Sequence, residues 1–95
     1  MSTTNPASGE PELPQASFPT LVSLLASQAM AALGQIADPQ TKQANVRLPM
    51  AKHFIDSLEV LQEKTKGNLS EIEAGMLESM LFELRLLYVA QQKKA

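Results

Sequence analysis

The most constraining feature of the sequence is a short polar break between two long segments with helical apolar periodicity. Gly67-Asn68 is a helix-terminating pair, and Ser70-Glu71-Ile72-Glu73 has the spacing of a capping box that opens the next helix. Two helices joined by so few residues must be antiparallel neighbours. The sequence therefore predicts a helical hairpin at the centre of an all-α fold.

Apolar residues on both sides of this break recur every three or four positions, as the buried face of a helix requires. Helix 2 is predicted over about 49–66, and the residues of its apolar face are Ala51, Phe54, Ile55, Leu58, Leu61 and Thr65. Helix 3 is predicted over about 71–91, and the residues of its main stripe are Met76, Leu77, Met80, Leu81, Leu84, Leu87 and Tyr88. We expect these two faces to form the seam of the hairpin.

A third helix is predicted upstream, over about 18–33. Ser17 is a suitable N-cap, and Pro19 falls in the first turn, where its missing N–H does no harm. Gly34 is placed to end the helix. The helix is apolar almost all round, which is typical of burial on more than one side. We therefore expect a three-helix domain with helix 1 packed across the hairpin.

The residues outside the helices set the expected domain limits. Only four of the first 17 residues are hydrophobic and three are proline, a composition typical of disorder. We predict a disordered tail over 1–16, a single helical domain over 17–92 and a frayed C-terminus over 93–95. Residues 35–47, with a turn at Asp38-Pro39, are either a binding loop or a crossover strap, and we favour the strap.

Charge and segment length argue against nucleic-acid and membrane partners. The formal net charge is −2, so the chain has no general attraction for nucleic acid. Pro19–Leu33 spans about 22 Å as a helix, short of the hydrocarbon core of about 30 Å. The first basic residue is Lys42, whereas a secretory signal needs early positive charge. We expect a cytoplasmic protein, with weak nucleic-acid binding through Lys64 and Lys66 as an alternative.

The sequence offers few residues for catalysis or metal binding. Cysteine is absent and His53 is the single histidine, which removes thiolate metal sites and thiol nucleophiles. The best polar combination is His53 with Asp56 three residues on, a surface pair to which Glu59 lies close. We predict no catalytic, cofactor-binding or metal-binding residue. A metal-binding or enzyme-subunit role centred on His53, Asp56 and Glu59 is the alternative.

Helix 3 has more apolar surface than the hairpin seam requires, since 11 of the 15 residues 76–90 are apolar. Phe82, Leu86 and Val89 form a second stripe roughly opposite the first, and Gly75 lies on the same side. Helix 1 could cover this stripe, but its own far side would then be exposed. We therefore predict a non-enzymatic module that forms a homo-oligomer, most simply a twofold dimer, or binds another protein. The predicted interface residues are Gly75, Phe82, Leu86, Val89, Leu25 and Met30.

Several runs of the sequence together resemble DUF1844, a family of small bacterial proteins. These runs are Phe18…Leu21-Val22…Leu24, Leu33-Gly34, Asp38-Pro39, Leu48–His53, Ile55-Asp56, Leu58-Glu59, Leu61–Leu69, Glu83–Arg85 and Tyr88-Val89. The resemblance covers about residues 17–90, and its most specific part is the run from Lys52 to Leu69. It implies a bacterial cytosolic protein with a variable N-terminal tail and no established activity, and it supplies no catalytic residues. Gln40–Gln43 depart from the acidic, glycine-containing turn of the family.

Overall fold

The fold consists of three α-helices in a computed structural model that describes residues 13–37 and 40–94. The helices are α1 (Phe18–Ala32), α2 (Leu48–Lys64) and α3 (Glu71–Lys94). Each helix contacts the other two. Within the described ranges the only other regular feature is one isolated backbone bridge. The predicted all-α, three-helix fold is confirmed.

In the α2–α3 hairpin, α3 begins with the predicted capping box. The Ser70 backbone N–H donates to Glu73 Oε1 at 3.0 Å, and the Glu73 N–H donates to Ser70 Oγ at 3.1 Å. Two helix-terminal N–H groups are thereby satisfied by each other's side chains. Lys52, early in α2, lines a groove with Val89, late in α3, whereas Glu63, late in α2, lines a groove with Glu78, early in α3. The two helices therefore run antiparallel.

The starts of α1 and α3 are as predicted, and the other four helix termini differ from the predicted ones by one to three residues. The α2 helix begins at Leu48 and ends at Lys64, instead of 49 and 66. It ends early because the backbone bonding tightens after Lys64: the Lys66 N–H donates to the Glu63 carbonyl, three residues back, at 3.4 Å, and the chain then turns through Gly67, which has a φ of +87°. In contrast, α3 continues to Lys94, three residues beyond the predicted end.

Parts of the predicted termini and connection lie outside the described residues. These parts are residues 1–12 of the predicted tail, the predicted turn at Asp38-Pro39, and Ala95. Residues 13–17 have no regular secondary structure. The fraying expected over 93–95 stays a prediction.

The end of α1 is fixed by a glycine in a left-handed conformation. Gly34 has a φ of +77°. Its N–H donates to the Ala31 carbonyl at 3.1 Å, and the Gln35 N–H donates to the Met30 carbonyl at 2.9 Å. These two bonds form a Schellman motif, which satisfies carbonyls that the last helical turn leaves unpaired. The predicted role of Gly34 in ending the helix is thus confirmed.

The connection from α1 to α2 is tied back to the end of α1. The Arg47 N–H donates to the Ala32 carbonyl at 2.7 Å, and Val46 forms the isolated antiparallel bridge with Leu33. Backbone groups that would otherwise be unpaired are satisfied at this point. The final residues of the connection therefore hold the start of α2 against the end of α1.

The core lies where the three helices meet, and α1 enters it mainly through small side chains. The buried hydrophobic residues of the described chain are Val22, Ala26, Ala29, Ala32, Leu33, Ala51, Ile55, Leu58, Leu77, Leu81 and Leu84. Alanine allows a helix to approach its neighbours closely, because the distance between axes depends on the side chains at the contact. Leu21 and Leu24 remain exposed. The expectation that α1 is buried on more than one side is therefore wrong for the single chain.

Candidate interaction surface

The α3 helix has a buried face and an exposed apolar face. Its buried residues, Leu77, Leu81 and Leu84, have no solvent exposure. On the opposite side lies a row that we call the outer stripe, whose residues are Ile72, Gly75, Ser79, Phe82, Leu86 and Val89. At 100° per residue, these six positions fall on one side of the helix. The second apolar stripe expected from the periodicity therefore points into solvent.

The large side chains of the outer stripe are strongly exposed. Ile72 is 83% exposed, Phe82 64%, Leu86 57% and Val89 46%. A Cβ atom added to Gly75 would meet no atom of the described chain within 4 Å. The α1 helix therefore does not cover this face, although the sequence left that arrangement open. Phe82, Leu86 and Val89 are consecutive members of the row, whereas Gly75 and Ser79 separate them from Ile72. Exposed apolar patches are a common property of protein interaction sites.

Spacing along the outer stripe alternates between three and four residues. This is the seven-residue repeat of a coiled-coil seam, in which one helix packs along another. Ile72 and Ser79 belong to the repeat but were absent from the predicted interface. The signal that could have identified them is the continuation of the same spacing towards the start of α3. The repeat extends from Ile72 to Val89, about 27 Å of helix.

Two predicted interface residues, Leu25 and Met30, occupy a different place. Both are half-buried and pack against the core cluster. Met30 lines an open groove with Met80 and Leu84, on the side of α3 that faces the core. The structure therefore does not bring Leu25 and Met30 to the outer stripe.

The polar residues that the sequence placed together have separate contacts. Asp56 accepts a hydrogen bond from Lys52 Nζ at 2.8 Å. This hydrogen bond and the charge of Asp56 raise the pKa of Lys52 above its ordinary value. His53 is exposed, and its ring lies edge-on to Phe54 at a centroid distance of 5.3 Å. Asp56 is therefore paired with a lysine, not with His53.

Glu59, the third residue of the alternative polar site, binds across the hairpin. Its carboxylate accepts from Arg85 Nη2 at 2.7 Å and from Arg85 Nε at 3.2 Å. This ion pair lies between α2 and α3 and is about half exposed. Within the described ranges, no group of three or more histidine, cysteine, aspartate or glutamate side chains is arranged to hold a metal ion.

The basic pair at the end of α2 is exposed and has acidic neighbours. Lys64 is in the last turn of α2, and Lys66 follows it in the connection to α3. Lys66 lines an open groove of about 310 Å³ together with Glu63 and Glu78. The two carboxylates offset the positive charge at the point where a phosphate would approach. The site has no continuous basic surface of the kind that nucleic-acid binding requires.

These observations define a small three-helix all-α domain whose longest helix presents an uncovered apolar stripe. The chain belongs to the family described as Domain of unknown function (DUF1844), whose model matches residues 15–91. The match includes all of α1 and α2 and most of α3. No curated protein and no solved structure matches the chain. None of the helices in the described part of the chain is long and apolar enough to cross a membrane.

Proposed function

We propose that this chain is a non-enzymatic interaction module that associates through the outer stripe of α3, most simply with a second copy of itself. The observation that carries the proposal is the exposure of Ile72, Phe82, Leu86 and Val89 in one row. Burial of a side chain of this size stabilises a complex by roughly 1.5–3 kcal/mol when it goes from full exposure to full burial. Four such side chains in one seam supply the driving force for association.

The non-enzymatic part of the proposal is supported by the contacts of the polar residues. Asp56 and Glu59, the acidic members of the alternative site, each bind a basic side chain. His53 binds neither of them. We therefore expect His53→Ala to leave the fold and the assembly unchanged. Stoichiometric metal in the purified protein, measured by elemental analysis, would contradict this part of the proposal.

The proposal also extends to location and partners. We infer a bacterial cytoplasmic protein from the resemblance to DUF1844 members, and we expect neither a membrane nor a nucleic acid as partner. If a different protein occupies the outer stripe, the chain acts as an adaptor. A second copy is the simpler occupant because an exposed helix with an apolar heptad repeat can pack against its own copy.

The test compares the full-length chain with two glutamate variants by sedimentation velocity at micromolar concentrations. We expect the wild type to sediment as a species larger than its 10.3 kDa monomer. Phe82→Glu places a charge in the seam and should give a monomer with unchanged helicity by circular dichroism. Val60→Glu is the matched control, because Val60 is 58% exposed on α2, outside the outer stripe.

Each result of this comparison has a defined meaning. A wild-type dimer that Phe82→Glu dissociates and Val60→Glu does not would support the proposal. A wild type that stays monomeric would contradict self-association. A dimer that survives Phe82→Glu would show that another surface is used. Loss of helicity in Phe82→Glu would mean that Phe82 stabilises the fold itself.

A further inference from the structure

We propose that the second copy packs its α3 antiparallel to the first α3, about a twofold axis between positions 80 and 81. This inference rests on the proposed function and adds the orientation of the two helices. In this arrangement Ile72 faces the partner's Val89, Gly75 faces the partner's Leu86, and Ser79 faces the partner's Phe82. Twofold symmetry then repeats each contact on the other side of the axis.

The first argument is the distribution of side-chain size along the outer stripe. Between its two ends, the first half of the stripe has small residues, Gly75 and Ser79, and the second half has large ones, Phe82 and Leu86. A parallel pair would place Phe82 against the partner's Phe82 and Gly75 against the partner's Gly75. One layer would then be crowded and another empty, and both defects destabilise a packed interface. The antiparallel pair puts a large side chain against a small one in both middle layers.

The middle of the outer stripe has room for a partner's side chains. A shallow and mostly open hollow is lined there by Glu78, Ser79, Phe82, Glu83 and Leu86, all on α3. A glycine inside a helix costs about 1 kcal/mol relative to alanine. Apart from its chain neighbours and the adjacent backbone of α3, no atom of the described chain lies within 4 Å of a Cβ placed on Gly75. In the dimer, Gly75 leaves room for the partner's Leu86 to approach closely. Nothing in the single chain uses this space.

The second argument is charge, at positions that flank the seam. Glu78 and Arg85 border the outer stripe on the same side, seven residues apart. In the antiparallel arrangement Glu78 comes beside the partner's Arg85, and the twofold axis creates the same attraction again. Arg85 also binds Glu59 of its own chain, so its guanidinium would lie between two carboxylates. A parallel pair would bring Glu78 beside the partner's Glu83. An antiparallel pair shifted by seven residues would bring Arg85 beside the partner's Arg85. Only the proposed arrangement combines opposite charges with large-on-small packing.

The test uses cysteine cross-linking, because the natural sequence contains no cysteine. Gly75→Cys and Leu86→Cys are prepared as separate full-length proteins, one with a tag that changes its mobility on a gel. The two proteins are mixed, left until their subunits have exchanged, and then oxidised. We expect one covalent species that joins the two different variants. Both substitutions lie on the exposed face, and a Cβ at Gly75 meets no described atom within 4 Å, so the fold is retained.

Like positions should not cross-link in the antiparallel dimer. The two copies of residue 75 lie 11 residues apart along the pair, or about 16 Å at 1.5 Å per residue. A disulfide needs Cα atoms within about 7 Å. Each variant oxidised alone should therefore stay non-covalent. Val60→Cys mixed with Gly75→Cys is the control for random collision, and it should also give no covalent species.

The outcomes separate this inference from the proposed function. Covalent dimers of each variant with itself would show a parallel pair and overturn the inference. The inference is also overturned if the wild type forms a dimer that is sensitive to Phe82→Glu but the mixed variants do not cross-link; the proposed function would then stand. A wild type that remains monomeric overturns both.

Discussion

The three glycines of the described residues differ in backbone conformation or in surroundings, so each should respond differently to an added side chain. Gly34 has a φ of +77°, and an added Cβ would lie 2.8 Å from Val46 Cγ2. Gly67 also has a positive φ, +87°, but it lies in open space. Gly75 is helical and open. These residues therefore separate the cost of backbone strain from the cost of a steric clash.

We expect the three alanine variants to rank in a fixed order of stability. Gly67→Ala should lower the free energy of unfolding by about 1–2 kcal/mol, the cost of a left-handed alanine. Gly34→Ala should cost more, because it adds the contact with Val46. Gly75→Ala should raise the free energy of unfolding by up to about 1 kcal/mol. Urea denaturation measures the free energy of unfolding of each variant. The variants are made in a Phe82→Glu background so that association does not contribute. Equal costs at Gly34 and Gly67 would contradict the role of Val46.

The capping box allows a second prediction for a single residue. Ser70→Ala removes the acceptor for the Glu73 N–H and should lower the free energy of unfolding by about 1 kcal/mol. Ser27→Ala is the control, because Ser27 is exposed within α1 and alanine favours a helix interior. Urea denaturation of both variants checks the difference. A Ser70→Ala protein as stable as the wild type would show that this cap contributes nothing.

The contacts of the candidate polar residues show a limit of sequence reasoning at this scale. The spacing of His53 and Asp56 allowed a pair on the surface of α2. Lys52 lies four residues before Asp56, an equally good helical spacing, and it is the residue that binds. Spacing along a helix identifies the possible partners of an exposed side chain. It does not decide between two candidates with a similar reach.

At the scale of a helix, the sequence predicted the starts of the helices and the two faces of α3. Caps and periodicity are local properties, so a single segment contains the information that determines them. The burial of α1 could not be predicted in the same way. Leucine is more hydrophobic than alanine, yet Leu21 and Leu24 are exposed while Ala26 and Ala29 are buried. Which face is buried depends on how closely the neighbouring helices approach.

The two faces of α3 can be compared at adjacent residues. Leu81 has no exposure, whereas Phe82 is 64% exposed. Leu81→Ala should lower the free energy of unfolding by about 2–5 kcal/mol, because it opens a cavity in the core. Phe82→Ala should have a small effect on the monomer but should weaken association, measured by sedimentation equilibrium. A large loss of monomer stability in Phe82→Ala would place its side chain in the core.

At the scale of the whole molecule, the short chain has little core, and the structure leaves four large hydrophobic side chains of α3 exposed. Domains of this size bury only about 60–65% of the surface that the unfolded chain exposes. The sequence could show this surplus, because an apolar stripe opposite the core face is visible in the periodicity. It could not show whether α1 covered the stripe, since that depends on how the three helices are placed.

If the outer stripe is an interface, the stability of the fold depends on protein concentration. A partner that binds only the folded state shifts unfolding by mass action. For a dimer that unfolds to two monomers, a tenfold rise in concentration adds about 0.7 kcal/mol per chain, or on the order of 3–5 °C in Tm for a domain of this size. Phe82→Glu should have a lower Tm that does not change with concentration, and Val60→Glu should behave as the wild type. The dependence of Tm on concentration is measured by thermal unfolding, monitored by circular dichroism, over a hundredfold range of protein concentration. A wild-type Tm that stays constant over that range would mean that the folded chain gains no stability from association.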